Sequence, residues 1–129
     1  MRHNKIGRKL SRKTAHRKAL MSNLACALIT HKKIKTTDAK AKELRMYIEP
    51  LVTFAKKNDI HSRRQVLKKI RHKNIVKELF ETIAPAVKNR NGGYTRITKL
   101  GFRDNDCAPL SIIEFVDQIS ESVNKGESK

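Results

Sequence analysis

Apolar residues recur near every 3.6 positions in four stretches of this chain, and β-like runs fill most of its last third. The first helix is expected from Ser11 or Thr14, with Ala19, Leu20, Leu24, Ala27 and Leu28 on its inner face. The segment His31 to Thr37 suits a short strand. Thr36 or Thr37 can then cap a second helix, with Asp38 well placed against the helix dipole. Its stripe is Leu44, Ile48, Leu51, Val52 and Ala55, and it keeps its phase across Pro50. One helix bent at the proline is the expectation.

Asn58-Asp59 marks a break. A third helix follows through Val66, Leu67 and Ile70. A fourth is expected with Asn74 as cap and Ile75, Val76, Leu79, Phe80 and Ile83 inward, ended or bent by Pro85. Asn89 to Gly93 reads as a turn, Tyr94 to Leu100 as a strand, and Leu110 to Val116 as another. The last two are expected to pair antiparallel, because the link between them is too short for a helical crossover. The fold class is therefore α+β, in two layers and in the order α-β-α-α-α-β-β. A small three-stranded mixed sheet with helices packed on one face is the economical arrangement.

The chain has 129 residues, which fits one domain. Residues 14–117 hold the patterned elements, 1–13 form a basic arm, and 118–129 form a polar tail expected to be disordered. Charge sharpens that division. Residues 1–103 carry +22 and residues 104–129 carry −4, giving the net +18. So much uncompensated positive charge repels itself, and it implies a polyanionic partner such as the phosphate backbone of a nucleic acid. The first 18 residues hold eight Lys or Arg and no acid. They cannot offset their ordering entropy by burial, so the arm is expected to be mobile in solution and to order on RNA. Cations in the first turns of the first helix oppose its dipole, and an external anion there would relieve the conflict.

The expected RNA-binding set is Arg2, Lys5, Arg8, Lys9, Arg12, Lys13, Arg17 and Lys18 from the arm and the first helix, together with His3 and His16. Lys32, Lys33 and Lys35 on the first strand, with Arg63 and Arg64 on the third helix, extend it. Tyr94 and Arg96 complete it, Tyr94 with core packing as the equal alternative. The six aromatic residues are scattered, which favours recognition of phosphate, sugar and helix shape over stacked single-strand bases.

Catalytic and metal chemistry find little support. The five histidines have no ligand partner at helical or turn spacing. Cys26 and Cys107 show no Cys-x-x-Cys spacing. Cys26 sits in an apolar stretch and reads as a small core residue. Asp104, Asp106, Glu114 and Asp117 form an acidic cluster that a magnesium nuclease would use, but charge compensation with Arg96 or Arg103 explains it more simply. Gly92-Gly93 lacks the strand, Lys-Ser/Thr pair and helix start of a phosphate loop. No cofactor, catalytic residue, metal or small-molecule substrate is expected. The longest apolar run, Leu24 to Ile29, is too short to span a bilayer, so no membrane is expected either. The Arg-rich start also has the composition of an organelle transit peptide, but it runs into a patterned helix without a linker. A general DNA compactor is the remaining competitor.

Several blocks stand in a fixed order along the chain: Met1-Arg2-His3, Gly7-Arg8, Leu10, Arg12 and His16-Arg17, then Asn23-Leu24, His31, Ile34 and Thr36-Thr37. Lys40 to Leu44, Glu49-Pro50-Leu51, Ala55-Lys56 and Arg63-Arg64 follow. Gly92 to Arg96 is the most specific block, and Gly101, Arg103, Asp106, Ala108-Pro109 and Glu114 end the series. Together they resemble one family, bacterial large-subunit ribosomal protein seventeen. Asn105 stands where the family commonly has Gly, and Asn tolerates the positive φ such a turn would need. The resemblance implies a non-enzymatic, cytoplasmic subunit of the large ribosomal particle, one copy per ribosome. It also implies contact with large-subunit ribosomal RNA, a place near the polypeptide exit region, and neighbouring proteins including number thirty-two.

Overall fold

The computed structural model describes residue 10 and residues 12–117. Most of the arm and the whole tail 118–129 therefore lie outside the described residues. Helix α1 (Thr14–His31) leads directly into strand β1 (Lys33–Thr37). Helices α2 (Asp38–Lys57) and α3 (Ile60–Lys69) follow. A longer helical stretch comes next: α4 (Lys73–Glu78), a π turn (Leu79–Ile83) and a short α5 (Ala84–Ala86). Strands β2 (Thr95–Phe102) and β3 (Pro109–Phe115) close the domain. Counting 73–86 as one helix, the order is the one expected.

The sheet is antiparallel throughout, in the order β1-β3-β2, so the expected mixed sheet is corrected. The last strand enters between the other two, and β1 and β2 never pair directly. Composition explains the choice. β3 is apolar enough for the centre, whereas β1 carries Lys33 and Lys35 and suits an edge, where lysines also discourage pairing with another chain. On one face, Ile113, Ser111 and Phe115 are buried beneath the helices with Thr95. The other face carries Lys33, Lys35, Arg96, Thr98, Ile112 and Glu114, and its three cations are exposed.

Helix α2 is the hub. It packs on all three strands and also against α1, α3, the π turn and α5. Its buried residues are Ala41, Leu44, Ile48, Leu51, Val52 and Ala55, the expected stripe plus Ala41. The helix runs unbroken through exposed Pro50. The stripe of α1 differs from expectation: Met21, Ala25, Leu28 and Ile29 are buried, and Ala19 is exposed. Residues 24–29 are apolar on every side of the helix, so tertiary packing set the phase.

Caps also depart from expectation. Thr37 is the N-cap of α2 but makes no side-chain cap bond. Asp38 instead accepts from the Ser111 hydroxyl at 2.8 Å and pairs with Lys42 at 3.1 Å, tying the helix start to β3. Asp59 caps α3 by accepting from the Ser62 N–H at 2.7 Å. His72, not Asn74, precedes α4. Pro85 lies in the last turn of its helix, which ends one residue later at Ala86. The turn before it widens, with the Ala84 N–H bonding the Leu79 carbonyl five residues back. A π turn of this kind reroutes the ladder where a proline offers no N–H.

Candidate nucleic-acid interface

The start of β2 is built by α2. The Glu49 carboxylate accepts from the Tyr94 N–H at 2.9 Å, the Thr95 N–H at 3.4 Å and the Thr95 hydroxyl at 3.2 Å. Gly92 and Gly93 turn the chain here with φ of 133° and 59°, which side chains rarely allow. The Tyr94 ring is buried at 4% exposure, with the Lys56 ammonium 5.0 Å from its centroid. Its hydroxyl lies 3.3 Å from the Lys56 ammonium and 3.4 Å from Thr53 Oγ1. Tyr94 therefore packs in the core, the alternative weighed for it against a nucleic-acid contact. The Lys56 ammonium also donates to the Arg90 carbonyl, so it belongs to the same cluster.

Lys32 departs from expectation. It takes the left-handed conformation that ends α1, and its N–H bonds the Leu28 carbonyl at 2.7 Å. Its ammonium donates to the Ile29 carbonyl at 2.5 Å and pairs with Glu78. The cation thus closes a helix C-terminus, where positive charge is favourable, instead of facing outward.

Three of the four acids in the cluster form arginine pairs. Asp106 takes a bidentate contact from Arg103 at 2.9 and 2.6 Å, and this pairing holds its carboxyl down at about 2. Glu114 pairs with Arg96 at 2.8 Å and stands 4.0 Å from Lys33. Asp117 pairs with Arg90 at 3.0 Å. The positive φ in the Arg103–Ala108 turn falls at Cys107 (56°), and Asn105 has none. Among the described residues no three His, Cys, Asp or Glu side chains group as metal ligands. A shallow cleft of about 590 Å³ between α2 and the Gly92-Gly93 turn has Glu49 as its single carboxylate, and that group is occupied with β2.

With these carboxylates engaged, the remaining cations are left for other partners. At the start of α1, Lys13, His16 and Lys18 are exposed and Arg17 is half-buried. No acidic residue stands in that first turn, and no side chain caps it. Arg12 donates to the Leu10 carbonyl at 2.7 Å. Segment 60–77 carries seven Lys or Arg, all exposed, and no acid. There the Arg63 guanidinium lies 4.5 Å from the Phe80 ring centre, which orders it without neutralising it. Arg64 is exposed beside it. The middle of α1 touches the end of α3, where the Ser22 hydroxyl bonds the Lys69 carbonyl at 3.0 Å. Lys33, Lys35 and Arg96 lie apart from them on the open face of the sheet. Arg2, His3, Lys5, Arg8 and Lys9 fall outside the described residues.

Lys68, Arg71, Lys73 and Lys77, which the expected set leaves out, are exposed on the same stretch as Arg63 and Arg64. No carboxylate occurs across 60–77.

The family model for ribosomal protein L17 matches residues 20–116. Large ribosomal subunit protein bL17 of Geobacter sulfurreducens is 53% identical over 128 residues, covering 98% of this chain and 73% of that protein. The bL17 proteins of Allorhizobium ampelinum and Pelobacter propionicus are each 53% identical over 118 residues and 92% of this chain. The alignment covers 84% of the former and 93% of the latter. The matched family model and these relatives show that this chain belongs to the ribosomal protein L17 family.

Proposed function

We propose that this chain is a structural constituent of the large ribosomal subunit, and not an enzyme, that binds large-subunit ribosomal RNA through cations its own carboxylates leave unpaired. The observation that carries the reading is the acid-free run of exposed cations over 60–77, together with the uncapped, acid-free start of α1. Phosphate oxygens suit both places. The α1 start offers backbone N–H groups and a favourable dipole, and arginine can bond two phosphate oxygens at once.

The arm, residues 1–13, continues the surface from the start of α1 and threads between RNA segments. Arg2, His3, Lys5, Arg8, Lys9, Arg12 and Lys13 neutralise phosphates there, and His16, Arg17 and Lys18 carry the interaction onto the helix. Residues 14–117 act as the domain that fixes where the arm begins, with 118–129 as a polar appendage. Arg63 and Arg64 belong to the helical face, and Lys33, Lys35 and Arg96 to the sheet. Lys32 serves the fold. The protein sits near the polypeptide exit region in a single copy, beside neighbours that include protein thirty-two.

Deleting residues 1–13 tests the reading. Affinity for large-subunit RNA falls, and the slope of log K against log salt shrinks by about 0.7–0.9 for each phosphate that the arm no longer neutralises. The thermal transition persists. An unchanged salt slope overturns the arm's role. Equal affinity for duplex DNA at matched salt favours a general compactor instead, because shape and 2′-hydroxyl recognition should prefer RNA.

A further inference from the structure

The two basic surfaces of the domain lie on different layers, one on the open face of the sheet and one on the helices. Helix α2 packs on the sheet, and α3 packs on α2 and α4. The face of the sheet that carries Lys33, Lys35 and Arg96 is the one the helices leave open. The cations of 60–77 are exposed on the helical side. Between these surfaces stand the sheet and α2, and helix axes alone pack about 8–10 Å apart. One rigid RNA segment cannot lie flat on both.

Each face is organised. On the sheet, Lys33 and Arg96 stand directly across from Glu114 on the central strand, one on each side. Arg96 bonds the carboxylate at 2.8 Å, while Lys33 stands 4.0 Å away with its side chain 60% exposed. The row holds two cations to one anion, and Lys35 adds a third cation one pair further along, beside Ile112 and Thr98. On the helical side, Arg64, Lys68, Arg71 and Lys73 are exposed with no carboxylate among them. Lys69 lies 5.8 Å from the Tyr47 ring centre, and Arg63 stacks on Phe80, so parts of this face are ordered before any ligand arrives.

We propose that the folded domain is itself an RNA bridge, holding one RNA segment on the α3–α4 face and a second on the open face of the sheet. The inference rests on the RNA-binding reading above and adds that binding is two-sided and independent of the arm. Two phosphate backbones that repel each other are held at a fixed spacing by the thickness of the domain. The helical face, with the higher charge, fills first. The sheet face fills second.

The test uses the full chain and two short RNA duplexes, one carrying a donor dye and the other an acceptor. Wild-type protein at physiological salt gives energy transfer between duplexes and sediments with two duplexes per protein. Lys33→Gln with Lys35→Gln lowers the transfer about tenfold and changes affinity for the first duplex less than about threefold. Arg64→Gln with Lys68→Gln and Arg71→Gln instead weakens the first binding step about tenfold or more. A chain lacking residues 1–13 still bridges. Circular dichroism confirms that each variant folds, since all these side chains are exposed. Wild-type protein that binds one duplex without transfer overturns the bridge and leaves RNA binding standing. Undiminished transfer in the Lys33/Lys35 variant also overturns it. Failure to bind any duplex overturns both readings.

Discussion

Removing the Glu49 carboxylate should destabilise the domain more than any other loss of a single charge. The side chain reaches from the hub helix to the first residues of β2 and receives three donors. Tyr94 and Thr95 are 4% and 8% exposed, so their N–H groups have little access to replacement water. A hydrogen bond to a charged acceptor contributes about 1.5–3 kcal/mol net, and an orphaned buried donor costs about 1–3 kcal/mol. One of the three bonds is long, and Glu49 itself is half-buried, so the total is discounted. Glu49→Ala then costs about 3 kcal/mol. Glu49→Gln keeps one acceptor oxygen and costs about half of that. At about 4 °C per kcal/mol for a domain of this size, the alanine variant melts about 12 °C lower. Urea unfolding with an unchanged m value is the assay. A loss below about 0.5 kcal/mol for alanine, or a glutamine variant worse than alanine, refutes the clamp.

Further outcomes follow from the same geometry. Ile113→Ala, at a fully buried position of the central strand, costs about 2–5 kcal/mol in urea unfolding, and a cost under about 1 kcal/mol would show that β3 does not anchor the core. Lys32→Ala lowers stability by about 1 kcal/mol while RNA affinity changes less than about twofold; weakened affinity with intact stability would return Lys32 to the binding surface. The Asp106 carboxyl, followed by NMR, titrates at about 2 in the folded protein against about 3.9 unfolded. A lowered carboxylate pKa means this pairing stabilises the folded state fully above about pH 4 and ceases to do so as pH falls through 2. Arg103→Ala moves the midpoint back toward 3.9, and a parent midpoint already there would disprove the pairing.

What the sequence makes legible depends on how much local pattern constrains the answer. Helix α2 has a clean stripe from Leu44 to Ala55, so its buried face is readable through Pro50. Helix α1 is not, because Leu20, Met21 and the apolar run 24–29 leave no polar face from which to fix a phase. Strand existence is readable, but strand order is not. Nothing local says that β3 inserts between β1 and β2, and the lysines of β1 suit a binding surface as well as they suit an edge. The Arg103–Asp106 and Arg96–Glu114 pairings are expected from sequence, whereas Arg90–Asp117 and Glu49 with the start of β2 are not. Those interactions cross 27 and 45 positions, and only the assembled fold brings them together. Tyr94 is evenly balanced on sequence alone, and its place beneath Lys56 decides for the core.

The distribution of acids, more than that of bases, separates folding from binding in this domain. Where a carboxylate stands near a cation, the pair serves the structure: Lys32–Glu78 closes α1, Asp38 joins α2 to β3, and Arg90–Asp117 holds the end of β3. Where no carboxylate lies in the run, as over 60–77, the cations are exposed and their ordering contacts are with aromatic rings; at the start of α1 Lys13 and Lys18 are exposed as well. Substitutions at the first group should therefore move stability and leave RNA affinity nearly alone, and those at the second should do the reverse. Arg96 belongs to both, since it bonds Glu114 on the open sheet and remains 56% exposed. Neutralising it also frees Glu114, an anion on the face proposed to meet phosphate. Its loss therefore weakens binding on that face more than removal of one positive charge alone would.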